Sequence, residues 1–144
     1  MQLLLDEPYA KIMFDATTNS TGLTWHGPVT SQQYRTVFAK ALEILSAYNT
    51  PNWVSDISHQ GPVSKEDQLW MFNTILPDAA KNGLKRIATI EPYHNNHNHV
   101  RDYVNDIELN IGKFGILYKS FRTHKETIEW IMEETEKATS LLKS

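Results

Sequence analysis

In the first quarter of the chain, apolar positions come in short runs: residues 3–5, 11–15 and 23–25, with Thr18-Asn19-Ser20-Thr21-Gly22 between the last two. Runs this short, bounded by Asn, Ser and Gly, predict an antiparallel strand meander. A turn at His26-Gly27-Pro28 then leads to Thr30 or Ser31, either of which can cap a helix by accepting from an orphan amide. From there the period changes. Tyr34, Val37, Phe38, Ala41, Leu42 and Leu45 recur at helical spacing, while Arg35, Lys40 and Glu43 fall outside the stripe. The pattern predicts a first helix that ends near 49–51.

Residues 52–57 carry Trp53, Val54 and Ile57 between Pro51 and Gly61-Pro62, too short a run for a helix, and predict a strand. Ser64 followed by Lys65-Glu66-Asp67 reads as a capping box with Asp in the place of Glu, so a second helix starts there. It carries Leu69, Phe72, Ile75, Leu76 and Ala79, bends or restarts at Pro77, and closes at Asn82-Gly83. A buried parallel strand is expected over 86–90, then a polar, histidine-rich loop over 91–98. A third helix bears Val100, Tyr103, Val104, Ile107 and Ile111 and is stopped by Gly112; a last strand follows over 114–119. Thr123-His124-Lys125-Glu126 opens a terminal helix with Ile128, Ile131, Met132 and Leu142 facing inward. This order predicts one α/β domain over residues 1–144: a mixed β-sheet with an N-terminal antiparallel meander, parallel β-α-β units and about four helices.

Composition narrows the function classes more than the fold. The 40% hydrophobic and 22% charged residues are globular chemistry, and 14 Lys and Arg against 17 Asp and Glu leave a net charge of −3, which argues against nucleic-acid binding. The absence of cysteine removes a disulfide framework, a thiolate nucleophile and Cys-based zinc, and points to a cytoplasmic setting. The apolar start at 1–5, followed by Asp6 and Glu7, is too short for a secretory signal or a membrane span.

Several segments share a further pattern. Leu23-Thr24-Trp25-His26-Gly27-Pro28-Val29 forms a W-x-G turn before the first helix, and Trp53-Val54-Ser55-Asp56 a strand ending in aspartate. Gly83-Leu84-Lys85-Arg86-Ile87-Ala88 follows in order, as does residues 114–121 with Ile128-Glu129-Trp130-Ile131. Together they resemble the STAS superfamily of sulfate-transporter and anti-sigma-factor-antagonist domains, and within it the stand-alone SpoIIAA-like bacterial branch. The resemblance implies a non-enzymatic regulatory or protein-interaction module. It also implies a phosphorylatable serine at the helix start after the aspartate-ending strand, which falls on Ser64, with Ser58 as second choice. The subgroup's Asp-Ser-Ser-Gly-like segment is absent, however, and Glu66 and Asp67 would repel a phosphate, so Ser64 also reads as a plain N-cap.

Ligands of α/β sheets collect outside the carboxyl ends of parallel strands. Asp56, His59, Glu91 and His94 lie there and, if they converge, form a rim able to hold a polar ligand or move a proton, although no nucleophile motif accompanies them. His94, His97 and His99 are weak metal candidates against the reading of a solvated loop, and no metal or cofactor is expected. Trp25, Trp53, Trp70 and Trp130 with Phe72 and Tyr103 are either core or the lining of an apolar pocket. Trp70 and Met71 widen the stripe of the second helix beyond one buried face, which points to a second contact, either a ligand or another subunit, with core and interface together favoured over a lipid cavity. Three readings result: an interaction module working through the second helix, a carrier of a small apolar or lipid-like ligand, and a small enzyme built on the rim.

Overall fold

A computed structural model describes residues 1–91 and 98–143. Six strands, β1 (Gln2–Glu7), β2 (Ala10–Asp15), β3 (Ser20–Trp25), β4 (Asn52–Asp56), β5 (Arg86–Ile90) and β6 (Leu117–Phe121), form one sheet in sequential order. The first three pair antiparallel and the last four are mutually parallel, so β3 belongs to both regimes. The mixed sheet expected from the sequence is therefore the observed architecture. β5 is buried along its whole length, as a central parallel strand covered on both faces should be.

Right-handed crossovers that all step the same way place successive helices on one face of a sheet. Here α1 (Ser31–Tyr48) links β3 to β4, and α4 (Asn98–Asn110) links β5 to β6. Between β4 and β5 runs a continuous helical segment made of α2 (Lys65–Trp70), a wide π turn at Met71–Ile75, and α3 (Leu76–Lys81). Phe38, Met71, Leu76, Tyr103 and Ile107 from these elements meet Leu23, Trp53 and Ile87 of the sheet. The other face is covered only in part, by α5 (His124–Lys143), whose Ile131 is buried and whose Trp130 packs on Phe121 with ring centroids 5.6 Å apart.

Local chemistry explains most boundaries. Thr30 caps α1 in a full capping box with Gln33, and Asn49 ends it in the left-handed conformation at φ 52°. All five apolar residues expected on the third helix are buried. The second helical segment does interrupt near Pro77, and it does so by widening ahead of the proline. Pro77 has no amide to donate and its ring crowds the carbonyl four residues back; the i to i+5 bond from the Leu76 amide to the Met71 carbonyl gives that turn more room. Tyr34 on α1 and Tyr103 on α4 hydrogen-bond each other at 2.9 Å, and both hydroxyls reach the Met71 sulfur, tying the wide turn to its neighbours. Desolvation pushes both phenols up, Tyr103 to about 12, so the pair stays protonated at neutral pH.

Four expectations need correction. Ser20, Thr21 and Gly22 belong to β3 rather than to a loop, because their polar side chains hid a segment that pairs with β4 and buries Thr21. Gly112 does not stop the third helix: a 3-10 turn (Ile111–Phe114) continues through it and ends at Gly115, φ 73°, so the last strand starts at Leu117. Aspartate at the third position of α2 does not complete a capping box; its carboxylate bonds Ser31 and Arg35 instead. In α5 only Ile131 of the four expected inward residues is buried, while Met132 is 49% and Leu142 88% exposed, since α5 overhangs a sheet face that it does not fully meet.

The segment after β4 also approaches the turn before α1. A Cβ on Gly61 would lie 2.6 Å from Pro28 Cα, a backbone atom that cannot swing aside. Gly61→Ala is expected to cost about 1–3 kcal/mol of stability, the usual range for forced overpacking. Urea unfolding checks this: a midpoint equal to wild type would show that the two segments separate freely.

Candidate functional site

The densest polar arrangement on the helical face is built around Asp67. Its carboxylate accepts from Ser31 Oγ at 2.6 Å and from Arg35 Nε at 3.0 Å, and its backbone amide donates to Ser64 Oγ at 3.1 Å. Three segments far apart in sequence therefore converge on one buried acid: the first turn of α1, the residue preceding α2, and α2 itself. Arg35 also lies over the Trp70 ring, its guanidinium carbon 5.0 Å from the centroid. Outside this pair, Ser31, Gln32, Arg35, Thr36, Ala39 and Trp70 line an open depression of about 600 Å³ between α1 and α2. Leu69 stands next to it, 53% exposed.

The expected interface residues divide. Trp70 is half-buried at this surface, whereas Met71 is core, with its sulfur against Tyr34 and Tyr103, and is not available to a partner. Met71 follows α2 in regular geometry, its amide donating to the Asp67 carbonyl, so it shares the buried face of Asp67 one turn earlier; the stripe drawn through Leu69 put the core on the wrong side of this turn. Leu69 takes its place as the exposed apolar residue. Ser64 is exposed and caps α2, with its oxygen engaged by the Asp67 amide. Ser58 lies beyond the end of β4, where its amide donates to the Asp56 carboxylate at 3.0 Å.

Among the described residues of the strand-end rim, Asp56, His59 and Glu91 share no hydrogen bond or ion pair with one another. Asp56 pairs with His124 of α5 at 3.1 Å. Glu91 is buried; one of its oxygens accepts from Ser120 and sits 3.4 Å from Arg101, while the other has no partner among the described residues. Its neighbours draw the Glu91 carboxylate towards α4 and β6, away from the Asp56 pair. His59 is exposed and makes no hydrogen bond or ion pair with either acid among the described residues. His94 and His97 lie outside the described residues. His99, on α4, has its Nε2 3.1 Å from the Gln60 carbonyl oxygen, and no metal-holding group of three such side chains occurs among the described residues.

The aromatic residues do not enclose a shared pocket either. Trp25 stacks on Tyr34, with centroids 5.5 Å apart, and donates to Ser55; Trp53 contacts Phe38; Trp130 is on the opposite face of the sheet. Between sheet and helices remains a cavity of about 30 Å³, lined by Leu23, Trp53, Leu76, Thr89 and Tyr103 among others. That is room for a water molecule or two, far short of an acyl chain. No helix of the described residues is long and apolar enough to cross a membrane.

Sequence reasoning placed Ser64 and Trp70 at this surface but missed Ser31, Arg35 and the role of Asp67. Their partners lie 32 and 36 residues away, and no local pattern encodes such contacts. No family model matches the chain, and no curated protein matches it.

Burial alone would raise the Asp67 carboxyl, but hydrogen bonds from Ser31 and Arg35, together with the Arg35 charge, outweigh it and hold the group below its usual 3.8. A carboxyl lowered by folding stabilises the native state fully above its unfolded value, and that contribution is lost as pH falls through the folded value. Asp67→Asn should therefore be less stable than wild type at neutral pH, with the gap closing as pH is taken down through 3.8 and below. Urea unfolding across that range checks the sign; a gap constant with pH would show that Asp67 is not charged in the fold. Ser64→Ala should cost about 0.5–2 kcal/mol and Ser64→Gly only a few tenths, the signature of an N-cap.

Proposed function

We propose that the chain is a non-enzymatic binding module, a STAS-like domain of the SpoIIAA-like kind, that engages a protein partner through α2 and the adjoining face of α1. The observation that carries this reading is the Leu69 and Trp70 pair. Leu69 is 53% exposed although burying it would return about 1.5–3 kcal/mol, and Trp70 packs on the core through Tyr34 while staying half-exposed beside Arg35. Asp67 anchors Arg35 from below, so the surface is preorganised before any partner arrives. Large aromatic and Arg side chains are the residue types that dominate binding energy at protein interfaces. A cysteine-free chain of this size fits the cytoplasm. The partner can be a second copy, giving a homodimer, or another protein.

Two facts favour binding over the other readings. Among the described residues the rim acids are separately engaged, Asp56 by His124 and Glu91 by Ser120 with Arg101, so the two acids share no hydrogen-bond partner. The 30 Å³ cavity under the helices favours contact at the surface over carriage of a lipid inside.

The test is light scattering after size exclusion together with affinity capture, using wild type and Leu69→Glu, a change at an exposed position. Wild type is expected to form a dimer or retain a partner, and Leu69→Glu to lose either one with its Tm unchanged. A wild type that stays monomeric at high concentration and captures nothing that Leu69→Glu fails to capture would sink the proposal.

A further inference from the structure

On the opposite side of the sheet, where β4 and β5 begin, the C-terminal half of α5 overhangs a cleft of about 380 Å³. Ile131, Met132, Ala138 and Leu142 make its apolar wall, and Asn52 and Arg86 lie at its base. Arg86 is only 8% exposed. Its Nη1 donates to Asn52 Oδ1 at 3.0 Å and its Nη2 to the Glu134 carbonyl at 3.5 Å, while its Nε is buried with no acceptor among the described residues. No described carboxylate pairs with it there. The contrast within the same molecule is plain: Arg35 has Asp67 and Arg101 has Glu91.

A guanidinium does not deprotonate in a protein, so this charge is permanent, and two neutral acceptors only partly offset the desolvation of an unpaired buried ion. Lys85 adds a second cation at the mouth of the cleft and makes no ion pair with a described carboxylate. The acids nearby do not neutralise them: Glu134 directs its carboxylate to Lys137, and Glu136 is exposed at the rim, where solvent screens it. Meanwhile Met132 and Leu142 leave apolar surface in water. The cleft thus lacks one negative charge and one apolar body, and a single molecule can supply both.

We propose that this cleft binds a small amphipathic monocarboxylate, its carboxylate on Arg86 with Lys85 nearby and its hydrocarbon against Ile131, Met132, Ala138 and Leu142. A planar carboxylate matches the guanidinium fork, and an apolar wall in a pocket of this volume suits a hydrocarbon rather than an inorganic anion. The site is on the far face of the sheet from α2 and stands independently of the interface proposed above.

Calorimetric titration of the full chain with octanoate, 1-octanol and inorganic phosphate separates the contributions. Octanoate is expected to bind, with octanol and phosphate each at least about tenfold weaker, the size of one charge-assisted contact. Arg86→Met should weaken octanoate by about tenfold or more. Because Arg86 is buried, Ala138→Trp supplies a second variant, at an exposed helix position, that fills the cleft without touching the guanidinium. It should abolish octanoate binding with circular dichroism and Tm unchanged. No heat with octanoate at millimolar concentration, octanol or phosphate binding as tightly as octanoate, or either folded variant binding octanoate like wild type would overturn the proposal.

Discussion

The constraint on which the rest depends is the sequential strand order of the sheet. Because every crossover after β3 steps the same way, the helical segments between parallel strands all go to one face, and that face becomes the deep core. The other face has to be closed by whatever chain follows β6, and a single helix cannot cover six strands. The two sides of the molecule are therefore physically different. One is packed almost without void, and the other is half open, with Ile128, Met132 and Leu142 of α5 in contact with water.

On the packed side, the surface at α2 lies just ahead of the wide turn. Pro77 is preceded by the wide turn, which starts from Met71, and the Tyr34–Tyr103 pair holds the Met71 sulfur in the core. Leu69 and Trp70 lie on the outer side of the last regular turn before the widening. Asp67, one turn earlier, fixes α2 to α1 through Ser31 and Arg35, and Arg35 in turn braces Trp70. The same few residues thus set both the stability of the α1–α2 contact and the shape of its exposed surface.

How far the sequence foretold this differs by element. The buried stripe of α4, the capping of α2 by Ser64 and the fully buried β5 were legible because each is written in local periodicity or local hydrogen-bond chemistry. Ser20 and Thr21 misled because a polar residue can occupy a buried strand when its neighbours satisfy the backbone, and composition alone does not show that. Leu142 misled for the opposite reason, since amphipathic spacing shows which face of a helix is apolar but not whether anything lies beneath it. Among the candidate residues, the overwide stripe put Trp70 at the surface, where it is half-buried; Met71 is buried on the face of Asp67; and the separate engagement of Asp56 and Glu91 depends on His124, Arg101 and Ser120, which the tertiary fold alone brings near.

Arg86 shows how the half-open face shapes chemistry as well as packing. On a strand buried on both sides, a long cation is normally excluded, and its presence in β5 requires that something on the back of the sheet receive it. Asn52 on the neighbouring strand and a carbonyl of α5 accept from two of its nitrogens, but both are neutral and the third nitrogen has no acceptor among the described residues. Had α5 been drawn fully onto the sheet by its apolar stripe, its wall would close over Arg86 and bury that charge more deeply still. The overhang of α5 therefore balances two costs, apolar surface left in water and a guanidinium removed from it. The cleft between helix and sheet is where that balance leaves its space.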